Sequence, residues 1–359
     1  MTTASTTAAS ASRPSGLTVD VHAHLLLPEV ERAVAGRPGH AAARELEARR
    51  NGPEAMPVNG EMIRARMPLL TDAAARLAAM DQAGVDLQLV SPSPSHYHYW
   101  ADEDLARTVW ELAAAGVAAH CAEAPDRLRG LGLAPLQHPG LAAEALDHAL
   151  AAGLLGVEIS SHAPGRELSD PDYEPFWTRA EETGALLFLH PFGCTLDERL
   201  DRWYLSNSVG QPAENAVALS HLIFSGVLDR HPGLKIVAAH GGGYLPGHAG
   251  RADHAWRVRP DARGCAREPS SYLRGLYFDS LVHDPGALRA LIAAAGPGRV
   301  LLGSDFPFDM GTDDPVGALR AAGLPEPVER AVRGANAAAL LNLADAPRTR
   351  RPSPREDRP

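Results

Sequence analysis

The chain of 359 residues contains a single lysine, Lys235; its other long basic side chains are arginines. That scarcity narrows the chemistry. A two-metal centre bridged by a carbamylated lysine needs a lysine at a strand end inside a pocket. Lys235 follows Pro232-Gly233, at the expected start of a strand, so no lysine-bridged binuclear site is expected. Cysteine is scarce too. Cys121, Cys194 and Cys265 are odd in number and widely spaced, with no disulfide framework or cysteine-based zinc motif. No apolar run approaches the ~20 residues of a membrane span, so no membrane partner is expected. The formal net charge of -10 argues against nucleic acid as a partner, although local arginines still allow an anionic small substrate. Residues 1–15 are rich in Thr, Ala and Ser and lack a basic start followed by an apolar run. They read as a disordered tail, not a secretory signal, which makes a cytoplasmic location the expectation. Residues 346–359, rich in Pro and Arg, read as a second disordered tail.

Hydrophobic residues make up 45% of the chain, enough for a substantial core. Between the tails, short apolar runs alternate with longer Ala- and Leu-rich segments of helical character. The runs lie at 17–24, 85–91, 128–134, 156–160, 185–190, 235–240, 276–280 and 300–305. Eight strands alternating with helices predict an α/β fold, a (β/α)8 TIM-type barrel over residues 16–345. No G-x-G-x-x-G follows the first strand, which argues against a doubly wound nucleotide-binding sheet. Residues 29–70 form a long insertion after strand one, and residues 191–214 a long loop after strand five. Long connections at this end of a barrel carry substrate contacts.

The strand ends hold the chemistry. The first run ends in His22-Ala23-His24, and residues i and i+2 of a strand share a face. The fifth run ends at His190, the sixth at His240 and the eighth at Asp305. In a barrel these ends share one rim. A histidine closing an apolar run is ordinarily a packed core residue, and an aspartate there a turn cap. Imidazoles and a carboxylate on the correct ends of four strands instead suit one divalent ion of zinc type. His96 and His98 repeat the H-x-H spacing in a loop after strand two and read as loop residues, with lining of the substrate pocket the less favoured alternative. His162 follows strand four and is expected to face that pocket. Gly241-Gly242-Gly243 is not followed by Lys-Ser/Thr, so it is no P-loop.

Met80-Asp81-Gln82-Ala83-Gly84-Val85-Asp86, Gln211-Pro212-Ala213-Glu214, Ala239-His240-Gly241-Gly242-Gly243, Asp279-Ser280-Leu281-Val282-His283-Asp284-Pro285 and Leu302-Gly303-Ser304-Asp305-Phe306-Pro307-Phe308 resemble the amidohydrolase superfamily. More narrowly, they resemble its aminocarboxymuconate-semialdehyde decarboxylase family, over residues 17–343. The resemblance implies that His22, His24, His190 and Asp305 ligate the metal and that His240 is the catalytic histidine, with Asp305 assisting in proton movement. It also implies substrate-binding arginines at Arg64, with Arg66 a competitor, and at Arg251. Arg251 would reach the neighbouring subunit's site, so a homodimer is expected. Two stretches depart from the family pattern. The usual His-Pro-Trp-Asp is here His190-Pro191-Phe192-Gly193, and the tryptophan-rich stretch becomes Trp203-Tyr204-Leu205-Ser206. The ligands are kept while the pocket lining, Phe192 and Trp203 included, is changed.

The expected reaction is metal-dependent, non-oxidative decarboxylation of a small aromatic or muconate-type carboxylic acid. A divalent ion acts as a Lewis acid and lowers the pKa of bound water towards ~7, and His240 takes or relays a proton. The alternatives are a hydrolase acting on a lactone, amide or C–C bond, or a hydratase, at the same mononuclear site. The H-x-H start favours Zn2+ over Mn2+, since relatives that use manganese often replace the first histidine with glutamate.

Overall fold

The computed structural model describes residues 16–343; both expected tails lie essentially outside them. Eight parallel strands form the barrel: β1 (Val19–Leu25), β2 (Leu87–Pro92), β3 (Leu128–Gly130, resuming at Gly132–Leu133), β4 (Gly156–Ile159), β5 (Leu186–Leu189), β6 (Lys235–Ala238), β7 (Tyr277–Asp279) and β8 (Val300–Leu301). Neighbours pair in sequence order from β1 to β3 and from β3 to β8. Closure comes from Val21 N donating to Leu302 O at 2.9 Å and from a parallel bridge between Ala23 and Phe306. β3 breaks at Leu131, whose N–H turns to Val90 O while Leu155 N bonds Gly130 O.

Val19, Val21, Leu87, Leu89, Leu131, Leu186, Phe188, Val237 and Leu301 fill the barrel interior. The alternate residues, such as Val90, Val157, Leu187, Ile236 and Phe278, pack against the surrounding helices. This is the two-faced pattern of a closed parallel sheet. β1 breaks its own alternation. The β1–β2 register shifts between Asp20 and Ala23, so after Val19 and Val21 it is His22 and His24 that turn towards the interior. Leu25 joins the outer shell. Asp20 satisfies the irregular backbone at that shift: its carboxylate accepts from His22 N, Ser304 N, Ser304 Oγ and Gln88 Nε2.

The insertion after β1 is helical: α1 (Pro28–Val34), α2 (His40–Asn51) and α3 (Ala55–Thr71) precede α4 (Ala73–Ala83). Asp72 starts α4 by accepting from Ala74 N and Ala75 N, and Gly84 in the left-handed region ends it. α5 (Glu103–Ala122) starts at Asp102 and buries Leu105, Val109, Ala113 and Val117 at helical spacing. α6 (Pro139–Ala151), α7 (Glu174–Thr183), α8 (Gln211–Phe224), α9 (Leu245–Val258) and α10 (Pro285–Ala295) continue the outer ring. α2 reaches the loop after β5, where Ser206 Oγ donates to Asn51 Oδ1 at 3.0 Å. The two long segments therefore brace each other at one end of the barrel. No helix among the described residues is long and apolar enough to cross a membrane.

Candidate metal centre

His22, His24, His190, His240 and Asp305 converge at the C-terminal mouth of the barrel. His22, His190, His240 and Asp305 each offer an atom within 4.8 Å of the others. His24 joins through Nε2, 3.1 Å from His22 Nε2 and 3.2 Å from Asp305 Oδ1. The His190 ring centroid lies 5.0 Å from His22, 4.9 Å from His24 and 4.9 Å from His240. All five residues come from strand ends on one rim.

The outer nitrogens decide what the inner ones can do. His22 Nδ1 lies 2.6 Å from Asp279 Oδ2, and His24 Nδ1 faces Pro92 O at 3.3 Å and Ser91 Oγ at 3.2 Å. With the proton on Nδ1, each ring turns an Nε2 lone pair towards Asp305. Both ring nitrogens of His190, and Asp305 Oδ1, are buried without a hydrogen-bond partner among the described residues. Buried polar atoms are rarely left so. Several nitrogen lone pairs and a carboxylate oxygen turned to one point fit a divalent cation.

The protonation pattern shows the same crowding. Burial pushes His24 down, and burial with neighbouring imidazoles pushes His190 well below its ordinary value. Burial opposes charge on His22 as well, but Asp305 and Asp279 outweigh it and raise His22 to about 10. Asp305 is held well below the carboxylate range: burial alone would raise it, and the surrounding imidazoles, His22 foremost, reverse that. Not every ring can be charged at once. A cation would thus compete with the proton on His22. His240 and Asp305 both sit at positive φ, 53° and 58°, which costs about 1–2 kcal/mol per non-glycine residue. Such strain collects at functional sites.

A second ring of residues lies beneath the first. Glu158 on β4 is fully buried, with Oε1 2.6 Å from the Tyr97 hydroxyl and Oε2 3.8 Å from His24 Nδ1. Burial raises its carboxyl to about 8. The Tyr97 hydroxyl is also 2.8 Å from His190 O, yet it carries one proton. A protonated Glu158 resolves this: it donates to the tyrosine oxygen, and Tyr97 donates to His190 O. Phe308 packs on His24 at 5.3 Å between ring centroids. Asp279, Glu158, Tyr97 and Phe308 were not singled out from the sequence as site residues. Asp279 and Phe308 do lie in stretches that carry the family resemblance.

The expected substrate residues fare unevenly. Arg66 Nη1 is engaged by Asp313 Oδ1 at 3.2 Å, whereas Arg64 on α3 is exposed and makes no ion pair among the described residues. Arg251 on α9 is exposed. His162 Nδ1 faces Glu214 Oε2 at 3.2 Å, and Glu214 also accepts from Thr195 N and Oγ1, tying the loops after β4 and β5 together. Phe192 stands at the mouth, its ring 6.4 Å from that of Tyr97. Trp203 is 79% exposed and makes no ring contact with the cluster among the described residues. His96 and His98 lie in the loop after β2, and Glu31 of α1 takes up both, at 3.0 and 3.7 Å, with His96 fully buried.

Known proteins carry the same architecture. The chain is similar to the 2-amino-3-carboxymuconate-6-semialdehyde decarboxylase of Dictyostelium discoideum, 32% identical over 82% of this chain and 83% of that protein. It superposes on the crystal structure of 5-carboxyvanillate decarboxylase from Sphingomonas paucimobilis with a TM-score of 0.78, at 26% identity over 91% of this chain and 99% of the other. The fold is shared with the dihydroxybenzoic acid decarboxylase of Polaromonas sp. JS666, solved with manganese and the inhibitor 2-nitroresorcinol (TM-score 0.74, 23% identity, 91% and 97% coverage). The amidohydrolase family profile matches residues 19–343. The chain belongs to the amidohydrolase family and, within it, is like the aminocarboxymuconate-semialdehyde decarboxylases.

Proposed function

We propose that the protein is a metal-dependent, non-oxidative decarboxylase of a small aromatic or muconate-type carboxylic acid. The observation that carries this reading is the set of histidines around Asp305 at the barrel mouth, in a chain whose relatives are decarboxylases. His22, His24, His190 and Asp305 would hold one divalent ion. His240 is the odd member: its side chain is 18% exposed and its Nε2 lies 3.7 Å from Asp305 Oδ2. A ligand is best buried and a proton carrier best reachable by substrate, so His240 is the acid–base group.

The ion, when bound, supplies a Lewis acid for charge developing on the substrate. The protein's own groups do the rest. Arg64, and Arg251 from a second copy, grip substrate carboxylates with guanidinium forks. Phe192 and His162 form the wall by which the substrate is chosen. His240, with Asp305 beside it, delivers a proton to the carbon bearing the carboxylate. The bond between that carbon and the carboxylate breaks, its electron pair takes the proton, and carbon dioxide leaves. The working form is a homodimer: a second copy would cover exposed Arg251 and Trp203. Three imidazoles and one carboxylate favour zinc, with manganese the alternative. The substrate is a small carboxylate, and neither nucleic acid nor membrane is a partner.

The test is an assay of protein loaded with zinc or with manganese against a panel of aromatic and muconate-type carboxylates, following carbon dioxide and product mass. Loss of one carbon dioxide per turnover supports the reading. Ring opening or water addition with every carbon retained would overturn it in favour of a hydrolase or hydratase.

A further inference from the structure

Asp279 ends β7 with its side chain completely buried and every lone-pair direction in use. Its Oδ2 is 2.6 Å from His22 Nδ1 and accepts from His240 N at 2.9 Å. Its Oδ1 accepts from Gly241 N at 2.8 Å and from Leu281 N at 3.1 Å. One carboxylate thus touches a ring of the cluster from behind and anchors the backbone that carries another. The anchored backbone is unusual: His240 and Gly241 both have positive φ, 53° and 61°. Without fixed acceptors, nothing else among the described contacts holds those two N–H groups. The packing reserves the place. A Cβ at Gly303 would lie 2.7 Å from Asp279 Cβ and 3.1 Å from His22 Cβ, so only glycine lets the two side chains meet.

We propose that Asp279 is the positioning residue of this site: its single carboxylate sets the tautomer of His22 and the placement of His240 together. The proposal rests on His22 being a metal ligand and His240 the acid–base group. It commits to a division of labour. Through Oδ2, Asp279 keeps the His22 proton on Nδ1 and so leaves the Nε2 lone pair for the ion. Through both oxygens, it holds the turn that brings the His240 ring to the mouth.

Asp279→Asn separates this role from that of a structural staple. The amide has one oxygen where the carboxylate had two. Turned to Gly241 and Leu281, that oxygen keeps both backbone donors satisfied, and the amide nitrogen then faces His22 Nδ1 and His240 N. This orientation loses one contact; the reverse loses two. In it, His22 Nδ1 must accept, so the neutral ring carries its proton on Nε2, the atom turned to Asp305. Metal binding then has to displace that proton without a carboxylate behind the ring.

The measurements need no substrate. Zinc and manganese dissociation constants, by chelator competition on the whole chain, are expected to rise about 10–100-fold in Asp279→Asn. Histidine 15N spectra of the zinc-saturated protein should show the His22 Nδ1 signal, protonated and bonded to a carboxylate in the parent, shifting in Asp279→Asn, with the His240 ring signals moving as well. A folded Asp279→Asn protein with unchanged metal affinity and unchanged His22 and His240 signals would overturn the proposal, whatever its melting temperature. If Asp279→Asn does not fold, Gly303→Ala presses on the same pair without changing charge. It should weaken metal binding by a smaller factor, and unchanged affinity in that variant counts against the proposal. His22→Ala is the control for the underlying reading. If it binds metal as tightly as the parent protein, the ligand assignment itself fails, a result distinct from failure of the Asp279 role.

Discussion

The molecule contains two clusters built from an H-x-H pair and a carboxylate, and they are not equivalent. At the barrel mouth, His22 and His24 have their Nδ1 atoms engaged from outside, so both Nε2 lone pairs converge near Asp305. Under the insertion, His96 Nε2 accepts the Leu27 N–H at 2.8 Å. The His96 proton must therefore sit on Nδ1, which faces Glu31 Oε1 at 3.0 Å. The ring has a partner on both sides and no lone pair left for a cation. Burial raises Glu31, but His96 and His98 outweigh it and hold the carboxylate below its ordinary range. The first cluster offers lone pairs; in the second, His96 spends its own on the Leu27 backbone and turns its remaining N–H towards Glu31, tying α1 to the loop after β2. Proximity alone does not distinguish them. The fate of the second nitrogen does.

The sharpest way to break this comparison is metal analysis after dialysis. Replacing His22 and His24 by alanine is expected to take bound metal from about one ion per chain to nearly none, because two of four ligands are lost. The His96→Ala/His98→Ala protein should keep its ion. Equal loss in both variants would erase the distinction. Next in size, His240→Ala should lower kcat by about 10²–10⁴-fold with metal content unchanged. Full activity would return His240 to the ligands or to the scaffold. A smaller effect is expected at the second cluster. His96→Ala leaves the Leu27 N–H without its acceptor and Glu31 with only the more distant His98, and should cost about 1–3 kcal/mol in urea unfolding, with no change in metal affinity.

The finest test concerns Glu158 in chelator-treated protein. Its folded pKa of about 8 lies above the ordinary 4.5, so the native state binds the extra proton between those values. Its contribution to stability is complete below about pH 4.5 and is lost as pH rises through 8. Glu158→Gln should flatten that part of the melting temperature–pH curve. An unaltered slope would show that Glu158 does not bind the proton assigned to it.

Much of this was legible in the sequence, for a definite reason. Short apolar runs mark the strands, and the side chain closing each run must lie on a common rim once a parallel barrel closes. His22, His24, His190, His240 and Asp305 followed from that rule alone. What the rule cannot reach are contacts between strands distant in sequence. The register shift that turns His22 inward depends on how β1 pairs with β2 and how Asp20 meets Ser304. Asp279 gains its meaning only when β7 lies behind β1, 257 residues away along the chain. His96 and His98 are legible as loop residues, but their partner Glu31 is not, because it lies in the insertion, 65 and 67 residues earlier in the chain. Trp203 was expected at the pocket from its place in a loop, and loop position does not determine which way an indole turns.

Lys235, noted first for what its solitude excludes, has a practical meaning once the barrel is built. It begins β6, at the rim opposite the one that carries His240. Among side-chain amines it is the sole address for an acylating tether. A surface bearing activated esters would capture the molecule through the end opposite the mouth, or through its own amino terminus. Bound by the lysine, every copy would stand with its catalytic mouth towards the bulk liquid.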